Sequence, residues 1–499
     1  MNTNNQHHRA ILQDIAERAM LERGLLPDFS AQALAELNRI QSPARSNGEP
    51  IRDLTELLWA SIDNDDSRDL DQLTVAEAIS GDTLKVQVAV ADVDALVKDG
   101  LAIDEHARHN TTTVYTPAKI FPMLPEKLST NLTSLNFNQD RLSIVVEMVI
   151  GADGSLQKSD IYQALVRNHA KLTYHGVAAW LEGRDPAPES VAVVNGLAEN
   201  LRLQDQAAQK LKNLRHMHGA LSLETIEARP IFDGDEIRDL EAEQKNRAKE
   251  IIEDFMIAAN GVTARYLSAR KFASLRRVVR TPKRWERMVE IAREHGFELP
   301  SSPNSGALEE FLTREKAADP LRFPDLSLAM IKLMGAGEYI AELPGQTTAG
   351  HFGLAVKDYT HSTAPNRRYS DLITQRLLKA AIVGKPTPYS MVDLEALAAH
   401  CTAEEDAANK VERQVTKSAA ALLLEGRIGE QFDAIVTGAS EKGTWVRIIK
   451  LPVEGRLMHG FEGADVGDRM HVRLDSVDVN QGYINFSKVG SPRQTWGKN

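Results

Sequence analysis

The stretch "SIDNDDSRDLDQL", residues 61–73, crowds Asp63, Asp65, Asp66, Asp69 and Asp71 together, with Arg68 as the only cation among them. Three chemistries compete for it. A solvated acidic loop is what most charge runs are, but it leaves the spacing without a reason. A calcium loop of the EF-hand kind would take Asp63, Asp65 and Ser67 as its first ligands. It fails because Arg68 stands where the turn demands glycine and Thr74 where the bidentate glutamate belongs. A magnesium site for phosphodiester chemistry does explain the crowding, since carboxylates at close quarters repel unless cations lie between them. Asp69 and Asp71 alternate about Leu70, which puts both on one face of an extended segment. Asp63 reaches the same ion from the far side of the loop.

Outward from this stretch the pattern is α+β. "GDTLKVQVAVADV" alternates Leu84, Val86, Val88 and Val90, the period of a half-buried strand, and "RLSIVVEMVIGADGSL" is a second strand ending in a turn at 151–154. "KNRAKEIIEDFMIAANGVTARYLSARK" has helical periodicity through Ile252, Phe255, Ala259 and Val262, and "DLITQRLLKAAIVG" reads as another helix. The first fifty residues are helical too: Ile11 and Ile15 share one face, and Ser30 caps a second helix carrying Leu34, Leu37 and Ile40. Two such helices serve packing more often than nucleic-acid binding, and packing is the expectation here.

Composition bounds the rest. The chain has 499 residues, 42% hydrophobic and 26% charged, enough for several domains with cores of their own. No apolar run has bilayer length, and "MNTNNQHHRA" lacks the apolar core of a secretory signal, so a cytoplasmic location without membrane contact is expected. Cys401 is the single cysteine, which excludes an intramolecular disulfide and a cysteine-rich zinc site and leaves metals to oxygen or histidine ligands. A net charge of -11 argues against a surface coated by nucleic acid, though not against a local basic channel.

From Gly426 the composition shifts to short alternating strands broken by glycine turns, the signature of a small barrel. It resembles an S1-type OB module, with "EKGTWV" as the glycine turn before an exposed aromatic. Such barrels stack bases on aromatics and track phosphates with basic side chains, making Phe432, Trp445, Arg447, His459 and Phe461 the candidates. Phe432 is more readily explained as barrel filling.

"SIDNDDSRDLDQL", "FPMLPEKLSTNLTSLN", "IIEDFMIAAN", "GHFGLAV" and "YTHSTAPNRRYSDLITQRLL" occur in this order. On these motifs the chain resembles the ribonuclease II and ribonuclease R superfamily over roughly residues 50 to 490. After the helical N-terminal segment (1–50), read from its own pattern, the resemblance implies an α+β RNB-type catalytic domain (51–425) and an S1-type OB barrel (426–499). It implies processive hydrolysis of single-stranded RNA from the 3′ end to nucleoside 5′-monophosphates with magnesium, or manganese in its place. It names no protein partner.

Carried over by position, the resemblance implies metal ligands at Asp63, Asp69, Asp71 and Gln72, with Asp69, Asp71 and Arg367 catalytic. Gln72 departs from the family, which has a fourth aspartate there; an amide oxygen ligates magnesium without charge and more weakly. Arg367, in "NRRYSD", would clamp the phosphate's nonbridging oxygens as a lysine could not. Arg368 is its neighbour, paired to an acid such as Asp371 or contacting RNA. Ala364, Asn366 and Gln375 stand where the family has other residues. Tyr115 would stack on a base near the 3′ end and Glu412 border the terminal-nucleotide pocket, with Trp445 and Arg447 as barrel contacts. No phenylalanine aligns with the family's second stacking aromatic, and Trp285 is the candidate for that place. The rival reading keeps this fold as an RNA-binding or regulatory protein whose catalysis was lost through Gln72 and the altered arginine motif. Retention of Asp63, Asp69, Asp71 and Arg367 together argues against it, because a decayed site has no physical reason to keep like charges crowded.

Overall fold

A computed structural model describes residues 8–46, 51–225, 227–243, 245–346, 349–464 and 468–490. The outer parts of the expected end regions, residues 1–7, 47–50 and 491–499, lie outside the described residues.

The main body is built on a seven-stranded sheet in the order Arg52–Asp53, Leu156–Arg167, Asp140–Ile150, Thr83–Ala91, Gln72–Ser80, Ala60–Asp63, Ala170–Thr173. Only the two outermost pairings, Arg52–Asp53 with Leu156–Arg167 and Ala60–Asp63 with Ala170–Thr173, are parallel. The acidic stretch therefore joins two neighbouring strands: Ala60–Asp63 ends on the first aspartate, and Gln72–Ser80 begins one residue after the last. Thr83–Ala91 is a central strand covered on both faces, since Val86 and Val88 as well as Ala89 and Ala91 are fully buried. That corrects the expected half-buried strand. Its alternating polar residue Gln87 is tolerated inside because its amide donates to Tyr162 Oη at 2.8 Å.

The helices Leu197–Met217 and Arg247–Ala269 pack on this sheet and share one core with it and with the helix Tyr369–Ile382. The 34-residue helix Met391–Leu424 opens with a capping box at Ser390 and Asp393 and runs to the start of the barrel. The expected boundary at 425/426 falls just beyond its end, in the short turn Glu425–Arg427. The barrel closes as Gln431–Ser440, Gly443–Ile448, Glu454–His459, Tyr483–Lys488, Arg469–Asp478, with Glu454–His459 and Tyr483–Lys488 parallel. This is the topology of an OB fold.

The N-terminal helix His8–Glu22 buries Leu12, Ile15, Ala16, Ala19 and Met20 against Ala408, Val411, Val415, Ala419 and Leu422 of the long helix. Ser30 caps the helix Ala31–Leu37 as read, its hydroxyl accepting the Ala33 N–H at 3.1 Å. That helix buries Ala33 rather than Leu34, which is 45% exposed, and it ends before Ile40.

Candidate active site

The acidic loop keeps its shape through a segment sixty residues downstream. Ser134 accepts the Leu70 N–H at 3.0 Å and donates to the Arg68 carbonyl at 3.1 Å, while the Leu135 N–H donates to the Leu70 carbonyl. "NLTSLN" is thus the scaffold of the aspartates. Ala91 N–H donates to the Asp71 carbonyl, fixing the loop's end to the central strand.

Within that frame Asp71 is 2% exposed. Its Oδ1 accepts the Asn366 backbone N–H at 2.9 Å, and its Oδ2 has no hydrogen-bond partner and lies 3.4 Å from Arg367 Nε. Burial pushes the Asp71 carboxyl up to about 7, with the Arg367 cation opposing and the Asp69 charge adding to the rise. Burial also raises Asp63. Asp63 Oδ2 accepts from the Ser67 hydroxyl at 3.1 Å, and the same oxygen of Ser67 stands 3.5 Å from Asp69 Oδ1. Tyr115 Oη donates to Asp69 Oδ2 at 3.2 Å, and partial burial with the Asp69 charge holds this phenol above its usual range, so it remains a donor.

Arg367 is held from the other side. Its carbonyl accepts from Thr113 N–H and Thr112 Oγ1, at 3.0 and 3.2 Å, which ties it to the segment that carries Tyr115. The buried Asp371 accepts from Ala364 N–H at 2.8 Å and pairs with Arg368 at 2.9 Å. Arg368 is therefore engaged inside the loop, as the neighbour of Arg367 paired to Asp371 that the sequence reading allowed. Gln375 accepts the Asp94 N–H and donates to the Ala91 carbonyl, docking its helix on the central strand. Glu412 Oε1 accepts the Tyr115 N–H at 2.7 Å, bringing the long helix to the same place.

Asp63, Asp69, Asp71, Gln72, Tyr115 and Arg367 all line one cavity of about 1060 Å³. Among the described residues no three carboxylates or imidazoles form a ready-made metal cage. That donor set still suits a hard cation. Magnesium is usually held by one or two carboxylates together with waters and substrate phosphates, and the oxygens here include a buried Asp71 Oδ2 that accepts no hydrogen bond and has only the Arg367 cation 3.4 Å away.

The RNB domain family matches residues 51–384. The chain belongs to this family. Residues 430–489 match a second one, the RNase II-type exonuclease C-terminal S1 domain. Among curated relatives, Ribonuclease R of Escherichia coli (strain K12) is 31% identical over 478 residues, covering 88% of this chain and 58% of its own. Ribonuclease R of Aquifex aeolicus is 33% identical over 471 residues, covering 88% of this chain and 65% of its own. The chain thus spans about 58–65% of the length of these relatives. Mycoplasma genitalium RNase R in complex with ribose-methylated single-stranded RNA superposes with a TM-score of 0.85 at 22% identity, over 97% of this chain and 79% of that one, a likeness of fold.

On the RNB frame the other candidates separate. Arg447 sits in the interface between the barrel and the helix Phe323–Met334, its Nη2 2.9 and 3.0 Å from the two oxygens of the buried Asp325. Its expected place was on RNA phosphates; in the structure its Nε and Nη2 are engaged by Asp325, which docks the barrel. Trp445 is half-buried, with its ring beside Gly438. Phe432 packs on Phe486 in the barrel core, whereas His459 and Phe461 are exposed. Trp285 is buried, and its indole N–H donates to the Pro300 carbonyl at 2.8 Å, so it presents no stacking face. Sequence reasoning missed further cavity-lining residues: Arg9, Tyr174, Arg229, Phe232 and Lys249. Arg229 pairs with Asp66 across 163 positions of chain, and no spacing rule connects the two.

Proposed function

We propose that this chain is a processive, magnesium-dependent 3′ to 5′ exoribonuclease acting on single-stranded RNA in the cytoplasm. The division of labour is an N-terminal helical segment to 50, a catalytic domain over 51–425 and an RNA-binding barrel from 426. The observation that carries the reading is the convergence, in one cavity, of Asp71 with its unpartnered Oδ2, Arg367 at 3.4 Å from it, and Tyr115 bonded to both Asp69 and Glu412. Relatives named Ribonuclease R add support.

Asp63, Asp69, Asp71 and Gln72 would hold the magnesium, which supplies an activated water and neutralises charge on the phosphate when bound. Arg367 presents a planar fork of donors to the nonbridging oxygens, where negative charge builds during in-line displacement. Asn366 orients Asp71 through its backbone N–H. Tyr115 stacks on the terminal base region, a contact worth about 1–3 kcal/mol, and Glu412 fixes the strand that carries it.

The test is incubation of purified protein with 3′- and 5′-labelled single-stranded RNA, with and without magnesium. The reading predicts release of labelled mononucleotide from the 3′ label at once, and passage of the 5′ label from full-length chains to a short end product without a ladder of intermediates, both requiring the ion. RNA bound but left intact at every magnesium concentration would establish the regulatory alternative.

A further inference from the structure

We propose that the N-terminal helix His8–Glu22 is a wall of the RNA path, with Arg9, laid on the ring of Phe232, contacting the RNA backbone at the outer rim of the cavity. This deepens, and rests on, the exoribonuclease reading.

The helix stands between two walls of the cavity while its apolar face is held by the long helix. Toward the Tyr115 loop, Gln13 donates to the Ala118 carbonyl at 3.3 Å and Glu17 pairs with Lys119 at 2.7 Å. Toward the hairpin of Glu227–Asp233 and Glu236–Glu243, the Arg9 N–H donates to the Asp235 carbonyl at 3.1 Å. There His8 Nδ1 accepts the Ile237 N–H, and its Nε2 lies 3.2 Å from Glu236. Arg9 is thereby fixed: its guanidinium carbon is 4.3 Å from the Phe232 ring centroid and its Nε 3.6 Å from Asp235. Arg9, Phe232, Lys119 and Arg229 all line the cavity that contains Asp71 and Arg367.

Depth follows from exposure. Asp71 lies at the floor, whereas the Asp66–Arg229 pair, where hairpin and acidic loop meet, is 70% and 58% exposed and marks the rim. A strand of RNA with its 3′ end at Asp71 therefore leaves past the hairpin toward its 5′ side. A guanidinium stacked on an aromatic is ordered before the ligand arrives, so little freedom remains to be lost when it meets a phosphate. On this path a trinucleotide seated at Tyr115 would end short of Arg9 at the rim, and a longer strand would reach it.

The experiment measures dissociation constants for a long oligoadenylate and for a trinucleotide over a range of salt, without magnesium and in an Asp71→Asn background that leaves RNA intact. Arg9→Ala should weaken binding of the long RNA about three- to tenfold and reduce the slope of log affinity against log salt by about 0.7, the value for one single-strand phosphate contact. Trinucleotide affinity should be unchanged. Arg9→Lys should keep the salt slope, and Phe232→Leu, which preserves apolar packing, should weaken the long RNA alone. Should Arg9→Ala disturb folding, these two variants decide. Parent-like affinity and slope for the long RNA overturn the proposal, as does an equal loss for both lengths, which would make the helix a support for the Tyr115 loop only. If the parent binds neither RNA, the exoribonuclease reading falls with it.

Discussion

Asp71 and Gln72 are adjacent in sequence and have opposite relations to the site's charge. Asp71 is buried beside Arg367 with one oxygen unpartnered, so Asp71→Asn removes the charge at little steric cost. Turnover should fall at least about a thousandfold while RNA affinity stays close to the parent's; single-turnover hydrolysis and binding assays check both halves. Arg367→Lys keeps a cation but loses the fork geometry, and kcat should drop about a hundredfold or more with little change in KM. Gln72 begins a strand, pairs with Val90 and lines the cavity. Gln72→Asp should therefore lower the magnesium concentration for half-maximal activity, by about tenfold for one added carboxylate, and change little at saturating metal. An unchanged midpoint in the magnesium titration would place residue 72 outside the metal shell.

Elements meet here through a few polar contacts whose removal has a defined result. The barrel rests on the helix Phe323–Met334 through Arg447 and Asp325, whose side chains are 16% and 4% exposed. Removing one partner of a buried pair leaves the other charge without compensation, so Arg447→Ala should destabilise the docked barrel by about 3 kcal/mol. Limited proteolysis should then release the barrel at protease concentrations that spare the parent. If the variant cleaves as slowly as the parent, the pair does not hold the two units together. The same geometry explains why an arginine in a strand that reads as an RNA-binding surface serves assembly: an exposed-looking alternate position faces another element.

Across the whole molecule, burial holds several histidines neutral. His106 packs against Phe29 at 4.2 Å between ring centroids, and its Nδ1 is buried without a partner. Burial, with the His109 charge adding and Asp28 opposing, pushes it down to about 4. His351 is lowered to about 4 by burial and by Arg277. A depressed histidine contributes stability that is complete above the unfolded value near 6.5 and is lost as pH falls toward 4, because only the unfolded chain takes up the proton in that window. Asp71 and Asp254, raised to about 7 and about 6, act in the opposite direction over the same range. Total stability is therefore a poor reporter, and a difference isolates the histidine. His106→Gln should gain about 2 kcal/mol on the parent between pH 7 and pH 4, read from denaturant unfolding at each pH. A gap between the two that does not change with pH would show that His106 is not held neutral by the fold.

The sequence by itself carried the α+β class, the barrel, and the acidic and arginine motifs, because each depends on short-range periodicity or on residue types crowded within a few positions. It also carried the pairing of Arg368 with Asp371, three residues apart at the start of one helix. What it did not carry is every contact between elements distant in the chain. Ser134 holding the aspartate loop, Asn366 holding Asp71, and Arg229 meeting Asp66 are separated by 66, 295 and 163 positions. Nor did local pattern reveal that Arg447 faces Asp325, that Trp285 is sealed in a core, or that the N-terminal helix borders the cavity. A side chain's chemistry is written in its residue type, but whether it meets solvent, RNA or another helix depends on which element packs over it, and that is decided only when the apolar faces find one another in three dimensions.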